Sequence, residues 1–339
     1  MKFKKNVKIL SWVFLMVFVF SCKDDSNEPT PKSMLFAVAN RGNNTITYHN
    51  VNDLSLMGTT NLPDGTQPTY VAYSSEKDKI YTGGLENGML YEINPGTFEV
   101  ERTLEVGLGA FHLWLNDSTN QLWVNNINGN VKTTTVVDLN AFTVKKTINL
   151  PMDLNLSDAA VQHDVIINPE GTFAYVTILD GSDKSYLIQY NTTDFSIENT
   201  LEIGGDGHVG YRDNNLYSLS QNNGEVKKHN PSNLAILNNT LFSGAHGVTS
   251  TNNKLFVADL PGGKIGVLDN QDTVISTFET EFDATHNLAI NTDGNKLIVT
   301  YSGMTQNKIQ LFDISNNNLS LNSTLDSGIN PFGVAYIER

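Results

Sequence analysis

The chain has 339 residues, with 36 acidic and 22 basic side chains and a formal net charge of −14. Such an acidic surface repels phosphate and argues against a nucleic-acid binder, while an apolar fraction of 39% is enough to bury a core. A single Cys excludes an intrachain disulfide framework, and length alone suggests about two domains.

The first element is an address. Lys2, Lys4, Lys5 and Lys8 precede an apolar run from Ile9 to Phe20, broken only by Ser11. The run is short for a membrane span and has the flanks of a secretory signal. It ends Val19-Phe20-Ser21-Cys22, which resembles a bacterial lipobox, although Phe20 is bulky for that pattern. The resemblance implies that residues 1–21 are removed and Cys22 is acylated. Lys23-Asp24-Asp25 follows and is similar to the surface-export signal of Bacteroidota-type lipoproteins, which implies a lipid-anchored protein on the outer membrane, exposed at the cell surface. Residues 22–33, polar and carrying two prolines, read as a tether. Loss of the leader leaves 18 basic against 36 acidic residues, a net charge of −18.

From about Met34 the chain reads as short strands such as KIYTGG, QLWVNN, KLFVAD and KLIVTY, with turn signals at Asn87-Gly88, Asn128-Gly129, Asn223-Gly224 and Asp293-Gly294. Outside the leader no helical period is sustained. Seven units open with QPTYVAY, AFHLWLN, VQHDVII, DGHVGYR, GAHGVTS, ATHNLAI and NPFGVAY. Equivalent positions fall at 69, 112, 163, 208, 246, 286 and 332, a period of about 44 residues. The chain begins with three strands lacking an opener and ends on an opener. An all-β, seven-bladed propeller over residues 34–339 follows, with four-stranded blades and the last strand closing the first blade. Repetition thus replaces two domains by one. HDVIINPEGTFAYVT, HNLAINTDGNKLIVT and HGVTSTNNKLFVAD resemble the YVTN-type repeats of bacterial surface-layer-like propellers; no WD dipeptide occurs.

Five of the seven equivalent positions are His112, His163, His208, His246 and His286, from only seven histidines in the chain. Thr69 and Phe332 hold the other two and become neighbours on closure, with Phe332 presenting a ring at the gap. Convergent neutral imidazoles suit a borderline ion such as Zn, Cu, Ni or Co. The arrangement bears a limited likeness to the multi-histidine propeller site of nitrous oxide reductase. A competing reading keeps the imidazoles structural. Strand alternation puts each on the side of the residue two further on, mostly core types such as Val165 and Val248. His49 and His229 lie outside the register and read as surface residues. Asp164 and Asp206 read as solvated loop acids or backbone caps, with acid–base catalysis as the alternative.

No HExxH, Walker, GxSxG or EF-hand pattern is present. The functional expectation is a surface lipoprotein that binds a transition metal or a metal-bearing small ligand at the histidine arc. Address and fold together resemble gut Bacteroidota lipoproteins that capture cobalamin and pass it to a TonB-dependent outer-membrane transporter, which implies a corrinoid as one such ligand. Two alternatives remain: a protein-interaction or adhesion propeller, for which the long segment 149–162 would widen one rim, and a lactonase- or lyase-like enzyme on the same face.

Overall fold

A backbone amide buried without a partner is costly, so a sheet protein gains by leaving no open edge around its ring. The computed structural model describes residues 33–339 except 129–131 and 252. The expected leader, Cys22 and Lys23-Asp24-Asp25 lie outside the described residues. Among the described residues there are seven antiparallel four-stranded sheets and no helix. Each sheet is one blade, and six are built from consecutive strands. The seventh pairs the C-terminal strand Pro331–Glu338 with Met34–Asn40, followed by Thr45–Asn50 and Leu56–Asn61. Leu35 faces Ile337 and Val38 faces Val334 in this seam. Reciprocal bonds between Ser33 and Arg339 (3.0 and 3.1 Å) extend it to the last residue. The expected ring closure is therefore observed, strand for strand.

Blades hold together through large side chains donated across the gaps. Phe98, Phe142 and Phe195 each sit at the turn before an outermost strand with positive φ. Each packs on an aromatic of the preceding blade: Phe98 stacks on Tyr48 with centroids 4.2 Å apart, Phe142 meets Tyr81 and Phe195 meets Trp123. Fully buried Tyr48, Tyr81 and Trp123 make these contacts apolar seams between three pairs of neighbouring sheets. The segment 150–160 also joins this packing, because Leu150, Leu154 and Leu156 lie against the core cluster around Trp123. Only part of it, including the fully exposed Met152, is available to form a rim.

The inner strands govern the site. In six of the seven blades, the residue just before the inner strand is left-handed: Gln67, Gly109, Asp206, Gly244, Ala284 and Asn330. Six inner strands also carry a register shift at the opener, for example between Ala110 and Leu113 and between Gln162 and Val165. Only Gly207–Arg212 pairs without one. A bulge inserts an extra residue and re-aims side chains. Simple alternation therefore fails at the four histidines on bulged strands, and they turn towards the axis instead of wedging between blades; His208 joins them from a regular strand that follows the left-handed Asp206. Crowding there is severe. A Cβ on Gly247 would lie 2.0 Å from the His286 carbonyl oxygen. We expect Gly247→Ala to lose roughly 3 kcal/mol, the upper end of overpacking costs, in a denaturant titration; an unchanged midpoint would contradict this close approach.

Candidate functional site

Ring closure gathers the five imidazoles, four of them on bulged strands and His208 on the regular one, from His112 to His286 into one ring, each 2–8% exposed. Centroid distances are 4.9 Å for His112–His163, 4.6 Å for His163–His208, 3.9 Å for His208–His246 and 4.7 Å for His246–His286. Phe332 continues the ring 4.0 Å from His286. Tyr70, not Thr69, closes it, 5.5 Å from Phe332 and 3.8 Å from His112. Thr69 is turned away, donating its hydroxyl to the carbonyls of Ala110 and Phe111. Phe111 lies against Tyr70, His112, His163 and Phe332, with centroids 4.9–5.7 Å away.

Asp164 is the organising charge. It is not a solvated loop acid, because its carboxylate is only 13% exposed. Its oxygens accept from His112 Nδ1 (2.8 Å), His208 Nδ1 (3.4 Å) and the backbone amides of Val165 (2.7 Å) and Val209 (3.1 Å). This fixes the tautomer: Nδ1 of both rings carries a proton and Nε2 is left facing inwards. Asp206, 26% exposed, lies 3.6 Å from His208 Nε2. Asp164 follows the slot of its repeat by one residue. In the bulged strands that column carries Tyr70, Asp164 and Asn287 beside Leu113, Gly247 and Gly333. The polar outliers in that column were the available signal.

The ring holds an unequal set of protonation states. Burial opposes charge on His208, but Asp164 and Asp206 outweigh it and push its pKa up to about 9. Burial, then the neighbouring His208 and His112, brings His163 down to about 3. Burial and His208 likewise hold His246 and His286 well below the ordinary imidazole range, and burial lowers His112 against the pull of Asp164. Burial alone would raise both acids, yet the imidazoles beside them keep Asp164 well below the carboxylate range and bring Asp206 to about 2. At neutral pH the site is one imidazolium between two carboxylates, with four neutral imidazoles around them.

Four nitrogens of this ring, His112 Nε2, His208 Nε2 and both nitrogens of His246, are buried with no hydrogen-bond partner. His163 Nδ1 donates to the Gly207 carbonyl (3.3 Å), and His286 Nδ1 accepts from Asn287 (2.6 Å). The two histidines outside the register give an internal standard for a structural role. Both are buried, His49 at 2% and His229 at 0% exposure, which corrects their reading as surface residues. Each uses both nitrogens. His49 bonds the Leu54 carbonyl (2.9 Å) and Thr47 (3.0 Å), and His229 bonds the Leu234 carbonyl (3.0 Å) and Ser218 (2.7 Å). They close the turn after their strands, in matching His-Asn-x-x-x-Leu segments.

Two groups in the ring can hold an ion. One ligand atom each from His112, His163 and His208 lie within 4.8 Å of one another, and the same is true of Asp206, His208 and His246. His208 belongs to both. Beside the ring, a cavity of about 490 Å³ runs along the inner strands and is lined at the ring by His112, Asp164, His208, His246 and Asn287.

No family model and no curated protein matches the chain. Solved structures match its fold. A Desulfotomaculum acetoxidans protein of unknown function shares 14% identity at a TM-score of 0.72, covering 89% of this chain and 98% of its own. A Bacteroides fragilis protein, provisionally named a 6-phosphogluconolactonase, shares 13% at 0.71, covering 90% and 98%. The periplasmic gluconolactonase of Pseudomonas aeruginosa shares 12% at 0.70, covering 90% and 99%. At such identities the likeness establishes the seven-bladed β-propeller and nothing about activity.

The protonation pattern sets a pH dependence of stability. His163, His246 and His286 have folded pKa values below the unfolded 6.5, so as pH falls past 6.5 the unfolded chain takes up protons first. Stability then drops by about 1.4 kcal/mol per histidine per pH unit until the folded value is reached. His208 acts oppositely, adding stability below pH 6.5 that is lost as pH rises towards 9. We expect the metal-free protein to be less stable at pH 5 than at pH 7 in urea titrations. Equal stability at the two pH values would contradict the assignment.

Proposed function

We infer that this chain captures a transition-metal ion on the axial histidine ring. The observation that carries the reading is the set of buried, mutually facing imidazole nitrogens without partners, beside two structural histidines that have both partners. An unpaired buried polar atom costs about 1–3 kcal/mol, and coordination removes that cost. Asp164 plays the part of the outer carboxylate that orients ligating imidazoles and strengthens them as donors. The donor set is nitrogen with one carboxylate available and no thiolate, which suits a borderline divalent ion: Zn, Cu, Ni or Co. An ion at His208 Nε2 takes the position of that ring's second proton. Ring spacings of 3.9–4.9 Å admit an ion between the imidazoles and leave no space there for a corrin macrocycle, so a bare or lightly ligated ion is favoured over a corrinoid.

The leader gives this capture a place. With Cys22 acylated and Lys23-Asp24-Asp25 acting as export signal, the propeller hangs from the outer membrane and passes its ion to a TonB-dependent transporter. Lactone hydrolysis is the second reading. It is favoured by the carboxylate–imidazole pair at a cavity and by propeller neighbours named for that reaction.

Metal-depleted protein titrated with Zn²⁺ or Co²⁺ should bind one ion per chain. His208→Ala should weaken binding at least 100-fold, because both ligand groups use this ring. His49→Ala should lower thermal stability and leave the stoichiometry at one. No uptake by the wild type, or uptake unchanged in His208→Ala, would overturn metal capture, and turnover of a gluconolactone lost in the same variant would install the lactonase. Separately, mass spectrometry of the membrane-extracted protein should find Cys22 as an acylated N-terminus; Cys22→Ser should release the protein from the membrane fraction. A wild type that is unacylated would remove the anchor.

A further inference from the structure

The cavity is larger than an ion needs, and its walls have a different chemistry from its end. Val71, Trp114, Val165, Val248, Leu288 and Val334 line it, each two residues after the equivalent position of its repeat. The volume of about 490 Å³ falls within the range of small-molecule sites, roughly 300–1,000 Å³. Asp164 cannot serve as the polar anchor of a ligand, because four hydrogens already occupy its oxygens. The open lone pairs at this end are on His112 and His246, and His208 Nε2 adds one when an ion takes the place of its proton.

We propose that the cavity holds the apolar body of a small organic ligand whose donor atom completes the coordination of the ion on the ring. The cargo is then an ion with a compact apolar-bodied ligand, such as an aromatic nitrogen heterocycle. This rests on the metal reading above for the ion and on the cavity walls for the organic body. The body gains by leaving water against apolar walls in which Trp114, Val248 and Val334 are the most accessible and Val71, Val165 and Leu288 are backed by the core, and the donor atom gains by binding the ion in a place bulk water reaches poorly. Trp114 reports on the event: it is 43% exposed at the cavity, while the other indole of the propeller, Trp123, is fully buried.

The test loads the full chain with Co²⁺ and titrates 4-phenylimidazole against 4-methylimidazole, reading the cobalt visible spectrum and Trp114 fluorescence. The phenyl compound should bind at least tenfold more tightly and shift both signals. Val248→Asp and, independently, Val334→Trp should bring the ratio to within twofold while Co²⁺ affinity stays at the wild-type value, which also shows that the ring remains folded. Equal affinities in the wild type, or a tenfold preference that survives in both wall variants, would overturn the cavity assignment. Failure of the wild type to take up Co²⁺ would instead overturn the metal reading. The same pair is then titrated into the metal-free protein on Trp114 fluorescence, where a tenfold preference supports the cavity as the site of the organic body and no preference overturns it.

Discussion

An imidazole nitrogen taken out of water must find a proton donor, an acceptor or an ion. The axis of this propeller carries three that have found none of these among the described residues, His112 Nε2 and both nitrogens of His246, and a fourth, His208 Nε2, that has only Asp206 at 3.6 Å. Chain elements far apart in sequence converge to create that condition. It depends on closure of the ring by Pro331–Glu338 and on the bulges that turn the openers inward. Asp164 then removes the alternative of local satisfaction. By taking Nδ1 of both His112 and His208, it commits their Nε2 atoms to the centre.

The electrostatics follow from this one carboxylate and its neighbour. Five imidazoles at such spacings cannot all be charged, and the acids choose which one is. His208, between Asp164 and Asp206, holds the proton, while His163 and His246 are forced neutral by burial and by His208 itself. A divalent ion placed between the rings would take over the role of that proton with more charge and more directional bonds. The structural histidines show how different a filler looks: both of their nitrogens are spent at the ends of their own strands.

Much of the architecture was legible because repetition exposes it. Seven openers and a chain that starts mid-unit gave blade number, strand count and closure, and the His register named the ring. What remained hidden was backbone detail. Period-two alternation put the imidazoles on the side of Val165 and Val248, and at His112, His163, His246 and His286 only the bulges reverse that. The same bulges bring Asp164 and Tyr70 to the axis and turn Thr69 away, so one residue's displacement changed which side chain fills the gap. His49 and His229 were misread for a related reason. Their partners are carbonyls five residues on, a local turn geometry that residue type does not show, although the matching His-Asn-x-x-x-Leu segments carried a trace of it. The fold itself, shared at 12–14% identity with propellers of different names, could not have distinguished capture from catalysis.

The most direct measurement of the central claim is X-ray absorption at the metal edge of the protein loaded with one equivalent of Zn²⁺. The account predicts a first shell with at least three imidazole nitrogens near about 2.0–2.1 Å, the distance ordinary for zinc on histidine, and no sulfur. A shell made of water and carboxylate oxygens, with at most one imidazole, would place the ion elsewhere and contradict the account.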